Sequence, residues 1–162
     1  MNVSSSDVIL LTHSACGVAG TISAVWVLVE ALNAREDNAD RLRNAAAITA
    51  LSMIGAWILG GYWYLHFYPA DKAVMLNGPW PFAHTLFMET KEHLFFVTLI
   101  LSLYLPIAAR DKPYVNPVAR KMVVAVAMLI ALSGLAIEGC GAIINHGAKL
   151  ALPHANVGDS ER

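Results

Sequence analysis

The chain has 162 residues, of which 57% are hydrophobic and 14% charged, with a formal net charge of −1 and a mean hydropathy of +0.54. An average soluble domain is about 25% charged. The shift excludes intrinsic disorder, and eleven Lys+Arg against twelve Asp+Glu, with no basic run longer than two, leave no footprint for nucleic acid.

Four apolar stretches follow one another along the chain, over about residues 8–33, 44–68, 81–109 and 118–152. Each exceeds the ~20 helical residues that a bilayer core of ~30 Å requires. Ser4, Ser5, Ser6 and Asp7 offer N-caps to the first. Its flank lacks a positive n-region and a small-residue cleavage site, so it is read as a retained span. Its one charge, Glu30, reads as a solvated end-of-helix carboxylate. The second stretch carries no charge, and Pro69 follows it. The connections 34–43 (AREDNADRLR) and 110–117 (RDKPYVNP) are short and polar, whereas the middle one, PADKAVMLNGPWP, is longer. Short connections make successive helices antiparallel neighbours. The expected fold is therefore all-α: an up-down four-transmembrane-helix bundle forming one membrane domain over residues 1–162, with a polar tail over 153–162. Sustained apolar length without alternation argues against a β-barrel.

The positive charges orient the bundle. Arg35, Arg41, Arg43, Arg110, Lys112, Arg120 and Lys121 flank the two short loops, against Lys72, Lys91, Lys149 and Arg162 on the other side. The positive-inside rule then places the short loops in the cytoplasm and both termini outside it. The expected location is a multi-pass cell (inner) membrane, with lipid as the immediate partner.

The histidines fall in one layer. Counting outward from the inner boundary of each helix, His13 is 21 residues from Ala34 and His66 is 22 from Asn44. His93 is 16 and Glu89 20 from Ala109; Glu138 is 16 and His146 24 from Met122. At ~1.5 Å per residue these positions lie about 24–36 Å out, near the outer face. Cys16 and Cys140 share the layer and form no metal-binding pattern. Helical phase puts His13 with Gly17, Gly20 and Ala24, and His66 with Ser52, Gly55, Leu59 and Tyr62. It puts His93 with Thr85, Glu89, Glu92 and Phe96, and sets Glu138 in a stripe with Gly134, Gly141, Asn145 and Lys149, His146 at its edge. Lys91 points away from its helix's arc, and His84 reads as an interfacial residue before the third span. Ionisable residues within spans usually face the bundle interior and mark function.

Imidazoles from different helices beside small residues suit axial ligation of haem b, with the ligands drawn from His13, His66, His93 and His146. In general form the chain resembles the small four-helix b-type membrane anchors of respiratory enzymes. That likeness implies electron transfer as a subunit of a larger redox complex, and a cofactor near the outer face would exchange electrons with a quinone or a periplasmic protein. A second reading is a non-haem transition-metal site (iron, copper or zinc) built from His13, His66, Glu89, His93 and Glu138; the i, i+4 spacing of Glu89 and His93 suits two ligands to one ion. A third is a cofactor-free accessory or assembly subunit, or a homo-oligomer, whose glycine-rich faces pack against other membrane helices. No nucleophile–base arrangement or phosphate loop is recognisable.

Overall fold

The computed structural model describes residues 4–158, with side chains through residue 152. Its helices are α1 (Ser5–Leu32), α2 (Ala39–His66), α3 (Tyr68–Leu76), α4 (Glu89–Ala108) and α5 (Pro117–Gly158), and no strand occurs among the described residues. A 3-10 turn over Glu36–Asn38 leads into α2 and a π-helical turn over Ala83–Met88 leads into α4. Four segments are long and apolar enough to cross a membrane: Ser5–Leu32, Glu36–His66, Ala83–Ala108 and Pro117–Leu152.

Local chemistry sets the ends. Ser4 and Asp7 form a reciprocal capping box that satisfies first-turn amides of α1. At the other end of α1, Arg120 of α5 donates to the carbonyls of Ala31 (2.9 Å) and Leu32 in the last turn, adding a side-chain donor where a helix runs short of backbone ones. Glu30 is tied rather than simply solvated. It accepts from Arg41 at 3.1 Å, Asn38 at 2.7 Å and Trp26 at 3.1 Å, and so joins α1 to the start of α2.

Three boundaries differ from expectation. Helix α2 starts at Ala39 rather than near 44, because Asp40, Arg41 and Arg43 are compatible with a helix that projects beyond the apolar layer. The middle connection contains α3, with Pro69 in the first turn, where its missing N–H costs nothing. Helix α5 continues through Pro153 to Gly158, and residues 159–162 of the expected tail lie outside the described residues.

Neighbouring helices contact in the ring order α1, α2, α4, α5, with α3 laid across α5 and α2 at the end that carries the termini. Two cores result. The larger, nearer the short loops, is built mostly of small residues, among them Ala24, Ala31, Ala45, Ala46, Ala108 and Ala127, around Val27, Met53, Leu105 and Ile130. Small side chains let helices approach closely where lipid supplies no hydrophobic drive between them. Buried hydroxyls add hydrogen bonds between helices: Ser23 donates to the Ala45 carbonyl at 3.0 Å, and Thr98 donates to Ser133 at 2.8 Å. The smaller core, at the terminal end, gathers Tyr68, Met75, Ala83, Met88 and Ile144. Large apolar side chains such as Leu11, Leu65, Ile100 and Leu135 face outward, as a lipid-facing surface requires.

Candidate functional site

Between the two cores, towards the terminal end, lies a cavity of about 380 Å³. That volume lies within the range of about 300–1,000 Å³ of small-molecule sites. Its apolar and aromatic lining includes Ala56 and Trp57 of α2, and Phe95 and Phe96 of α4. Its polar groups converge from five helices, with His13 from α1, Tyr64 from α2, Asp71 from α3, Lys91 and Glu92 from α4, and Asn145 from α5. Helix α3 roofs it with Tyr68, Asp71 and Met75.

His13 is held by two features of α2. Its Nδ1 lies 2.8 Å from the Ala56 carbonyl, which can only accept, so Nδ1 carries a proton and, in the neutral ring, Nε2 is left as an acceptor. Its ring passes over Gly60, where a Cβ would come within 2.6 Å of Cε1. Gly60 is thus the gap through which the imidazole reaches the interior. Glu138 sits the same way over α1: a Cβ on Gly17 would lie 2.8 Å from its Oε1. Lys91 extends across the interior to Gly141, where a Cβ would lie 3.4 Å from Nζ, and its charge is within reach of Glu138 and His13.

Beside the roof, Tyr68 and His84 form a buried pair with Oη to Nδ1 at 2.8 Å. Nε2 of His84 faces the half-exposed Glu89 at 4.0 Å. Burial, reinforced by the neighbouring Tyr64 and the charges of Glu92, Asp71 and Glu89, pushes the Tyr68 phenol up, so it stays protonated. Burial likewise raises Asp71 above the ordinary carboxylate range.

The expected ligands do not converge. Of His13, His66, His93 and His146, only His13 lines the cavity. His66 is exposed, donates from Nδ1 to the Tyr62 carbonyl at 2.9 Å and stacks on the Tyr62 ring. His93 is exposed and donates to the Glu89 carbonyl at 2.7 Å. His146 is exposed, edge-on to Trp80 with ring centroids 5.0 Å apart. Glu89 is exposed and Glu138 half-buried, and neither lines the cavity. The residues present therefore do not fit a bis-histidine haem within one chain. Nor, among the described residues, do three of His, Cys, Asp and Glu group closely enough to hold a metal ion.

The reason is rotational. On α4 the inward stripe is Met88, Lys91, Glu92 and Phe95, the i, i+3, i+4 pattern of one helical face. Glu89 and His93 lie about 100° further round. Lys91, expected to point away, is an inward residue, and the expected interfacial His84 is buried at 4% exposure. The available signal was the 88, 91, 92, 95 spacing, which unites two charged side chains with two large apolar ones. The cavity was also marked by the paired glycines 60 and 61 amid the aromatic residues of α2.

No protein-family model, curated protein or solved structure matches the chain.

Proposed function

We propose that this chain is a membrane subunit that binds an amphiphilic, quinone-type molecule in its terminal-end cavity and so serves a redox complex at the outer face of a cell membrane. The observation that carries the reading is the cavity's composition: a lining that combines aromatic Trp57, Trp63, Phe95 and Phe96 with polar His13, Asp71, Lys91, Glu92 and Asn145. Binding sites for flat organic molecules combine mostly apolar linings with a few placed polar groups. A quinone ring fits between Trp57, Phe95 and Phe96. Its oxygens would accept from Lys91 or Asn145, and the hydroxyl of a quinol would donate to Nε2 of His13 or to Glu92. With the termini and α3 on the outer side, the exchange takes place next to a periplasmic partner or partner subunits.

The test is titration of the purified protein in lipid nanodiscs with a decyl-substituted benzoquinone, followed by quenching of tryptophan fluorescence. Trp57 and Trp63 line the cavity, so the wild type is expected to show a saturable component. His13→Leu keeps the bulk and removes the acceptor, and should weaken binding about tenfold, the equivalent of one lost polar contact. Quenching that rises linearly without saturation overturns the proposal. So does a Soret band with sharp reduced α and β bands in the same preparation, which would assign the site to haem.

A further inference from the structure

The cavity is covered by α3 at one end and has exposed lining residues along its side. Helix α3 covers its outer end with Tyr68, Asp71 and Met75, and of these Tyr68 and Met75 are 2% and 1% exposed. The α2 and α4 residues lining it lower down are different. Trp57 is 47% exposed, Phe96 is 54% exposed and Gly61 is exposed, although all three lie within membrane-spanning segments. A Cβ built on Gly61 meets no atom within 4 Å. Gly61 is five residues and Trp57 nine residues in from His66, the last residue of α2, or about 7 and 13 Å at the helical rise. Set that deep in a span, an opening between α2 and α4 would face hydrocarbon rather than headgroups.

Resting on the quinone-type reading, we infer that this gap is a lateral portal, and that the ligand is a lipid-phase quinone with a single apolar tail. The ring occupies the cavity and the tail leaves between Gly61 and Phe96 into the bilayer. Size and polarity both point this way. A volume of about 380 Å³ takes a one-ring head group and leaves a long chain outside. The portal is rimmed by the exposed Trp57, Gly61 and Phe96, which suit an alkyl or isoprenoid chain, while the polar His13, Lys91 and Glu92 of the lining are half-buried. Gly61 is the residue that leaves the door open, since any side chain there projects into the path of the tail.

Gly61→Phe tests this directly, because its Cβ enters open space. Gly139→Phe is the control: it too meets no atom within 4 Å, but Gly139 does not line the cavity. Binding is measured in nanodiscs with two probes, the decyl-substituted benzoquinone and the same quinone ring without its tail. Gly61→Phe is expected to weaken the tailed probe at least about tenfold and to leave the tailless ring within about threefold, a selective loss of roughly one decade. Gly139→Phe should leave both unchanged. Equal weakening of both probes by Gly61→Phe, no weakening of either, or the same loss in Gly139→Phe overturns the portal while leaving the cavity's ligand class standing. Failure of the wild type to bind either probe saturably removes the quinone reading and the portal with it. In that case, retention of a phospholipid by the wild type but not by Gly61→Phe assigns the gap to a lipid acyl chain.

Discussion

At the scale of single residues, the roof of the cavity concentrates the groups whose burial has a cost. Tyr68 and His84 satisfy each other at 2.8 Å in a fully buried position. Tyr68→Phe leaves an imidazole nitrogen without its partner, and an unsatisfied buried polar group costs about 1–3 kcal/mol. Denaturant titration in detergent micelles should show that loss, and His84→Phe in the Tyr68→Phe background should recover part of it, since removing both partners leaves no orphan. Asp71 gives a pH dependence whose sign is fixed. Burial raises its pKa in the folded chain above the unfolded value. The folded state therefore binds the proton more tightly, and this contribution is fully present below the unfolded pKa and is lost as pH rises through the folded one. Asp71→Asn should raise stability at neutral pH relative to wild type and flatten the acid-side slope. A slope unchanged by the substitution would show that Asp71 is solvated in the folded protein.

At the scale of helices, close packing rests on particular glycines. A Cβ on Gly134 of α5 collides with the Thr21 side chain of α1, whereas a Cβ on Gly139, five residues further along, meets nothing. Gly134→Ala should therefore destabilise the bundle by about 1–3 kcal/mol through overpacking. Gly139→Ala should be neutral or stabilising by up to about 1 kcal/mol from helix propensity. Equal effects in a detergent denaturation series would mean that α1 and α5 are not packed at Gly134. The same geometry explains what was legible in the sequence. The existence and order of the four spans follow from apolar length alone, because lipid rewards it wherever it occurs. The faces of α1 and α5 were legible too: Gly17, Gly20 and Ala24, like Gly134 and Gly141, can only be useful where something packs close. The inward face of α4 was not. Glu89, Lys91, Glu92 and His93 offer ionisable groups on every side of one turn, and periodicity alone does not say which of them faces the interior. Helix α3 was hidden for a different reason, since nine residues with Pro69, Asp71 and Lys72 carry too little apolar length to stand out from a loop.

At the scale of the whole molecule, the functional proposal depends on which way the bundle crosses the membrane, and charge placement gives the expected direction. Seven Lys and Arg flank the short loops and four lie on the opposite side. The structure sharpens that asymmetry, because Lys91 lines the interior cavity and is not available to a membrane surface. Juxtamembrane cations on short loops are retained on the cytoplasmic side, so α3 and the cavity roof should lie outside. Scanning with single cysteines tests this in intact cells, with Cys16 and Cys140 first replaced by alanine to remove background. Both probe positions must be exposed in the folded protein, which rules out Asn38, buried at 4% and hydrogen-bonded to Glu30. Asp37 and Asn77 are exposed on opposite ends of the bundle and suit the purpose. A cysteine at Asn77 should react with a membrane-impermeant maleimide before lysis, and one at Asp37 only after the membrane is opened. The reverse pattern would put the cavity roof in the cytoplasm, and any exchange between the bound molecule and a redox partner would then have to take place on the inner face.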